Sequence, residues 1–557
     1  MRVRAGAGLL LDSVCLGIQR RHTVVRDHMN SKADHLRRAG ARIFHSMLML
    51  GVVLAGGSGD CRAADDDRKE SSQEFFNDPR VRIFQFEIPA GGLVSLRRQP
   101  RAYVRGTLRE GDRVLTNVAF HLKGMGSFRT VDEKASFAVK FDEFVEGQEY
   151  AGLTKLMFNN AVQDPTYMVE WLATGLFRDA GLPAARVTHA RVRLNERDLG
   201  LYVVIEAMNK RFLKQHFPSA KGNLYEAYLG DIDTALEQDN GEVTDQADVR
   251  ALWHACSVAD PGERFKRVSK LLDVDQFMSF AAMEVLVGHW DGYTIHTNNY
   301  RLYHEPMSDK MVFITHGLDW AFRRPNISIQ PSLKSHVGRA VFQTSEGQKL
   351  FRERIGTLYT NVYRVPVITN RIDRALAKLR SAGLTPAELA RMERATASIR
   401  ERIELRGTRV AEQLAGKEPP QTKFDADGSA RLTGWRDEND RGEALMDRPE
   451  VDGRRTLHIR AGGGRTRGSW RTQVYLTRGR YRFEGRARSE GIVNGSAGLR
   501  ISGGQRNTGI GGTSAWRLLS HDFEVTDAAV DVEFVCDFYG MAGEVWFDAD
   551  SFRVRRL

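Results

Sequence analysis

The stretch "HWDGYTIHTNNYRLYHEPMSDKMVFITHGLDWAF", residues 289–322, decides how this chain reads. Two strand-like runs, 300–304 and 311–315, are joined by "EPMSDK", which predicts an antiparallel hairpin. Asp291, Asn298 and Asn299 stand before the first run, and Gly317 and Asp319 stand after the second. If 299–304 pairs with 311–316, Asn299 comes to lie beside the 317–319 turn. Polar groups at the ends of buried strands need partners or a chemical task. An acid, an amide and a second acid around one point suit phosphoryl transfer. One carboxylate orients the attacking hydroxyl, while the amide and the other carboxylate hold a hard divalent cation against the phosphates.

Working outward, residues 81–141 alternate apolar and polar positions between glycine and charged turns, which predicts a twisted β layer. The period then changes. Met168, Trp171, Leu172, Gly175 and Leu176 share one helical stripe, with Asp164 and Pro165 at its start and Gly181 at its end. "RVTHARVRLN", the turn "ERDLG" and "LYVVIEAM" form a further hairpin. Residues 231–286 read as mostly helical, with Asp273 or Asp275 as a helix cap. Dense Arg/Glu with heptad-like apolar spacing from 345 to 415 predicts antiparallel helices. "GKEPPQTK" then reads as a linker, and the rest as a β-sandwich.

Several blocks, in order, carry a family resemblance: "KGMGSF", "KASFAVKFD", "LMFNNAVQDPTYMVEWLATGLFRDAGLPAARVTHARVRLNERDLGLYVVIE", "GNLYE", "HWDGYTIHTNNYRLY" and "FITHGLDWAF". Over residues 80–365 the chain resembles the spore-coat protein H (CotH) kinase-like family. The resemblance implies an α+β, atypical protein-kinase-like domain with a helical C-terminal region, followed here by an all-β, jelly-roll-like sandwich. It also implies ATP, Mg²⁺ or Mn²⁺ as cofactor, and a protein substrate phosphorylated on Ser or Thr.

Carried over block by block, Asp291 resembles the catalytic-loop acid and Asp319 the metal acid, with Asn299 or Asn298 as the metal amide. Lys134 resembles the phosphate-binding lysine, with Lys140 as the less favoured choice, and Glu170 the helix acid that pairs with that lysine. Glu206 resembles the edge near the adenine pocket, and the turn from Lys123 to Ser127 would cover phosphates with its backbone N–H groups. One departure stands out: many members read "WDLDWAF" where this chain reads "HGLDWAF", so Gly317 replaces the first of two acids. If that acid is the essential metal ligand the chain is a weak kinase or a pseudokinase; if Asp319 serves, nothing is lost.

Other readings compete. His289, His296, His304 and His316 fall close together but match no helical metal-pair spacing. Asp291 and Asp319 as paired carboxylates would suit glycoside hydrolysis, which leaves the amides and lysine unexplained. The main alternative is a scaffold without catalysis that binds a cell surface or glycan. The C-terminal "RYRFEGRARS" and "GEVWFDADSFRV" resemble, in strand pattern, jelly-roll modules that bind carbohydrate. Residues 454–488 hold eleven Arg and a single acid, Glu484, and their alternation predicts a stripe of Arg480, Arg482, Arg486 and Arg488 suited to an anionic polysaccharide. A specific nucleic-acid partner is not expected.

The chain has 557 residues, 41% hydrophobic and 27% charged, which excludes a disordered or fibrous protein. Its net charge of +11 is concentrated in residues 1–64, with ten Lys/Arg against four Asp/Glu. There Met29 is followed by Arg37, Arg38 and Arg42, then an apolar run over 43–55, then small residues and an acidic start. This is the order of a secretory signal cleaved near Ala63 or Ala64, with Met29 as the true start. The run is too short for a membrane anchor. The expected organisation is a leader (1–64), a kinase-like domain (75–415), a linker (416–423) and a sandwich (424–557), in a bacterial protein exported to the periplasm or cell surface. Cys256 and Cys536 alone remain in the mature chain, so no disulfide framework is expected.

Overall fold

The alternating stretch closes on itself. The computed structural model describes residues 57–557 other than 228, 243, 244, 332, 418–420, 443, 503, 505, 507 and 508. The leader to residue 56 and the middle of the linker therefore lie outside the described residues. Of residues 1–63 only the first turns of helix α1 (Gly57–Asn77) are described, and residues 64–557 form one compact unit. No helix among the described residues is long and apolar enough to cross a membrane.

The chain continues through β1 (Arg82–Glu87), α2 (Ala90–Arg98), β2 (Val104–Glu110), β3 (Arg113–Lys123), β4 (Ser136–Lys140), β5 (Lys155–Asn159), α3 (Val169–Asp179), β6 (Val187–Leu194) and β7 (Arg197–Glu206). These strands form a closed barrel in the order β1-β2-β3-β4-β5-β7-β6. The expected twisted β layer forms part of this barrel. Closure comes from β1 pairing in parallel with β6, Arg82 opposite Ala190, across about a hundred residues of chain. Inward-facing rings fill the barrel: Phe86 meets Phe158 edge-on at 5.1 Å, and Phe84 meets Tyr150 at 5.5 Å. Helix α2 was not expected from sequence, since two glycines disfavour it.

Below the barrel lie α4 (Lys210–His216), β8 (Leu224–Glu226), β9 (Glu237–Asn240), α5 (Ala247–Cys256), α6 (Pro261–Leu271), α7 (Val274–Leu286), α8 (Tyr293–His296), β10 (Tyr300–Glu305) and β11 (Lys310–Thr315). The last two form the expected hairpin, Tyr300 opposite Thr315. Asp273 caps α7 by accepting from the Gln276 N–H. Helices α9 (His336–Phe342), α10 (Ser345–Asn361), α11 (Val365–Arg380) and α12 (Pro386–Leu414) complete this part. Arg406 of α12 is 1% exposed and donates to the carbonyls of Val285 (2.8 Å), Pro325 (3.1 Å) and Ile327, so it ties α12 to the end of α7 and to the chain after Asp319.

The C-terminal strands are β12 (Ser429–Arg431), β13 (Arg436–Arg441), β14 (Ala444–Asp447), β15 (Glu450–Val451), β16 (Arg454–Ala461), β17 (Thr466–Ile501), β18 (Gly509–Gly540), β19 (Ala542–Asp548) and β20 (Arg553–Arg556). The long β17 and β18 bend through several register shifts and enclose a core of Phe483, Phe534, Phe547 and Phe552. The expected alternation holds, with Tyr481, Phe483 and Ala487 buried and Arg480 and Arg486 exposed. Half of the stripe is neutralised, because Arg482 pairs with Asp522 at 2.7 Å and Arg488 with Asp452 at 2.9 Å.

The sandwich is clasped to the helical part. Asp531 accepts from the backbone N–H and side-chain amide of Asn326, both at 2.9 Å, while Arg409 of α12 donates to Asn326 at 2.9 Å.

Candidate active site

Three segments converge between the barrel and the hairpin. Asp291 sits in the loop between α7 and α8, and that loop is fixed from beneath by Glu284. This fully buried carboxylate accepts from the N–H of Tyr293 (2.8 Å) and from the N–H (2.9 Å) and hydroxyl (2.6 Å) of Thr294. Tyr293 then packs against Phe313 and Tyr300 at 4.4 Å, locking the loop to the hairpin. Both predicted amides meet Asp291: Asn299 donates to its carboxylate at 2.9 Å and to its carbonyl at 3.0 Å, and Asn298 donates to the same carboxylate oxygen at 3.4 Å.

Asn299 also borders the turn that carries Asp319. Its backbone carbonyl accepts from the His316 N–H at 3.2 Å, and its side-chain oxygen lies against Gly317. Gly317 adopts φ +59°, a conformation that suits glycine, and starts the short 3₁₀ turn Leu318–Trp320. Buried His289 faces the Gly317 carbonyl at 3.2 Å from below. In the amide orientation that satisfies both its neighbours, Gln163 donates to Asp319 at 3.1 Å and accepts from the Trp320 indole at 3.3 Å.

The barrel supplies the cation. Lys123 ends β3 and donates to the Asn159 side chain at 2.5 Å, with the carboxylates of Glu170, Glu226 and Asp319 around it. Burial lowers its pKa, which those carboxylates oppose. Glu170 stands in the first turn of α3, which Asp164 starts by accepting from the Val169 N–H at 2.9 Å. Burial, and then the Asp319 charge, push Glu170 up to about 7. Burial likewise pushes Asp319 up to about 6, with Asp164 and Asp291 adding to it.

These residues fit a hard divalent cation. Asp291, Asp319 and the Asn299 amide oxygen are oxygen donors at one edge of the cleft, and the carboxylates that suppress each other's ionisation are relieved by added positive charge. Among the described residues no group of three or more His, Cys, Asp or Glu is gathered so as to hold a metal ion. The four histidines do not gather: His289 faces Gly317, His304 contacts Asp248 and Asp309, His316 faces Glu226, and His296 packs on Trp290.

The remaining expected residues separate. Ser127 lines the cleft with Glu170 and Asp319, and its turn is held by Asn160, which donates to the carbonyls of Ser127 (3.0 Å) and Lys134 (2.9 Å). Lys134 itself does not meet Glu170. It donates to the Tyr167 hydroxyl at 3.0 Å and lies over the Tyr167 and Tyr202 rings, and the lysine charge that acts on Glu170 is that of Lys123. Lys140 pairs with Glu143 at 2.7 Å. Glu206 is turned away from the cleft into a two-pronged contact with Arg186, at 2.9 and 2.6 Å. The three residues after it, Ala207, Met208 and Asn209, line a cavity of about 620 Å³ that also contains Lys155, Met157 and Arg301.

Residues 120–421, just over half of the chain, match the family described as "CotH kinase protein". The chain belongs to the CotH kinase family. Among curated CotH-type proteins it is 27% identical over 163 residues to spore coat protein homolog 1 of Rhizopus delemar, covering 27% of each chain. It is 24% identical over 250 residues to invasin CotH3 of the same fungus, covering 38% of this chain and 41% of that one. It is 21% identical over 176 residues to inner spore coat protein H of Bacillus subtilis, covering 29% and 48%. The chain thus spans less than half the length of each of these CotH relatives. Among solved structures, the Helicobacter pylori proinflammatory kinase CtkA is similar over 52% of this chain and 96% of its own, at 11% identity and a TM-score of 0.26. TmCBM61 in complex with β-1,4-galactotriose is similar over 23% and 91%, at 14% identity and a TM-score of 0.18.

Sequence reading missed several CotH-site residues. Glu284 left a signal, as a lone acid in the apolar run "AAMEVLV". Asp164 was legible only as the start of α3, and Gln163, Asn159 and Glu226 left no signal, because their roles depend on contacts across the cleft.

Proposed function

We propose that this chain is an exported protein kinase that transfers the γ-phosphoryl group of ATP to a Ser or Thr hydroxyl of a protein, with Mg²⁺ or Mn²⁺ as cofactor. The observation that supports this best is the cleft lined together by Ser127 of the barrel turn, Glu170 of α3 and Asp319 of the hairpin turn, with the charge of Lys123 acting on Glu170. In this reading the base occupies the cavity beside residues 207–209. Lys123 meets the phosphates, and the turn ending at Ser127 covers them. Asp291 orients the acceptor hydroxyl and takes its proton as the new P–O bond forms, while the bond from the γ-phosphorus to the ADP oxygen breaks. Asn299 and Asp319 would hold the cation, with Asn298 as the alternative amide. The cation, when bound, neutralises charge on the phosphates. Export follows from the leader composition, and two curated relatives carry spore-coat names. The test is incubation of the full chain with labelled ATP, Mn²⁺ and Ser-rich acceptor peptides, followed by mass spectrometry. Label on Ser or Thr with wild type and not with Asp291→Asn supports transfer, and no label in either removes it.

One observation favours a second reading, a pseudokinase or surface scaffold that binds nucleotide without turnover: position 317 lacks an acid, and Asn299 fills its place. In that reading the sandwich does the work, binding an anionic glycan through Arg480 and Arg486, the exposed members of the arginine stripe. Retention of the full chain on alginate resin, weakened by changing both arginines to Ser, tests it.

A further inference from the structure

The space around Asp319 continues away from Glu170 into a cavity of about 330 Å³. Gln163 and Arg323 form one wall, α12 a second, and strands β13 and β17 of the sandwich a third. Helix α12 turns Arg391, Arg394 and Arg402 toward it, and the sandwich adds Arg436 and Arg471.

The acids within this wall are already shared. Arg471 reaches both Glu438 and Glu533 at 3.2 Å, Arg323 reaches Glu438 at 3.6 Å, and Arg436 reaches Glu533 at 4.0 Å. Burial alone would raise Glu438, yet Arg471, Arg323, Arg436 and Arg402 together bring it down to about 2. The lining also holds Asp164, Asp319 and Asp437, but its seven guanidinium groups still outnumber its five carboxylates. Arg402 carries the surplus: its Nε is buried without a hydrogen-bond partner in the protein. Burial, then the like charges of Arg436 and Arg323, push it down to about 9. A half-buried guanidinium whose Nε is buried without a hydrogen bond, set among other guanidiniums, is costly by itself and is relieved by an anion. Planar forks converging from three segments suit tetrahedral oxyanions with several oxygens, which they grip in pairs.

We propose that this cavity, which adjoins the nucleotide cleft and shares Asp319 with it, is a further binding site for a small multivalent oxyanion of phosphate or sulfate type. The bound anion would join α12 and the sandwich to the wall that carries Asp319. This does not depend on whether the chain transfers phosphate.

The test is thermal denaturation and titration calorimetry of the full chain with sodium tripolyphosphate, without nucleotide or divalent metal, and with sodium chloride at matched ionic strength as reference. A sodium sulfate arm separates the two anion types, and saturable stabilisation by either supports the site. With the probe about 100-fold above its Kd, the melting temperature rises by a few degrees. Arg402→Gln loses the rise. Arg394→Gln, at the exposed rim, weakens binding about tenfold and guards against misfolding of the first variant. Lys123→Ala keeps the rise. A rise equal in wild type and both arginine variants overturns the proposal, as does one matched by sodium chloride or one abolished only by Lys123→Ala.

Discussion

Asn299 occupies the space that a side chain on Gly317 would need: a Cβ built at 317 would fall 2.5 Å from the Asn299 Oδ1 atom. The glycine at 317 and the orientation of Asn299 are therefore one feature. Restoring an acid at 317 costs about 1–2 kcal/mol for the left-handed backbone, and it also displaces Asn299 from Asp291. Gly317→Asp is expected to lower the melting temperature and to leave metal-dependent nucleotide affinity no better than wild type. A gain in affinity would show that the site tolerates the second acid.

The roles proposed for Asp319 and Asp291 separate into binding and transfer. Asp319→Asn is expected to abolish metal-dependent nucleotide binding, measured by calorimetry with Mn²⁺ and a nucleotide. Asp291→Asn is expected to keep that binding and to lose about 10²- to 10⁴-fold in transfer rate, the usual contribution of a positioned base. Equal nucleotide affinity in wild type and Asp319→Asn points to the scaffold reading.

The two lysines are distinguished by their neighbours. Lys123→Met removes the cation beside Glu170 and is expected to reduce nucleotide affinity at least about tenfold. Lys134→Met removes one hydrogen bond and two ring contacts, worth about 1 kcal/mol of stability, with nucleotide affinity unchanged. The reverse pattern would return the phosphate-binding role to Lys134.

How much of this was legible in sequence depends on distance along the chain. The hairpin and the approach of Asn299 to the 317–319 turn could be read directly, because alternation and a short connection fix the register locally. The Asp164 start and Gly181 end of α3 were legible for the same reason. Which lysine faces Glu170 was not, since it depends on the closure of the barrel and on a parallel pairing of β1 with β6 that has no local signal. Glu206 ends β7 and turns its side chain to Arg186, while the residues that follow line the cavity, an arrangement that strand alternation alone does not reveal. The arginine-lined cavity draws on segments near 323, 391–402 and 436–471, and none of them is unusual alone.

His304 ties β10 to α5 and gives the fold a pH dependence. The Asp248 hydrogen bond at 3.1 Å, with help from Asp309 at 2.9 Å, raises the histidine pKa although burial opposes it. A raised folded-state pKa means that the contribution is complete below the unfolded value of about 6.5 and is lost as pH rises through the folded one. His304→Gln is therefore expected to lower the melting temperature more at about pH 5.5 than at about pH 8.5. A deficit that is equal at both values, or larger in base, contradicts the assignment.

The Asp531 contact with Asn326 holds the segment that follows Asp319. Asp531→Ala leaves the half-buried backbone and side-chain N–H groups of Asn326 unpaired, at a cost of about 1 kcal/mol. Amide hydrogen exchange is expected to speed up over residues 321–327 before it does in the barrel. Unchanged exchange there would show that Arg406 alone secures the segment.

The closed barrel separates what is recognisable from what folds. The family match begins at residue 120, inside β3, whereas β1 and β2 lie ahead of it and seal the sheet. A fragment cut to the matched region would begin within a strand and leave β3 and β6 as bare edges, each a row of unpaired N–H and C=O groups open to pairing with another chain. Such a piece is expected to aggregate while keeping every residue of the cleft. For this molecule the shortest expressible unit is set by strand pairing and begins upstream of β1, at or before the part of α1 where Phe75 packs on Phe84.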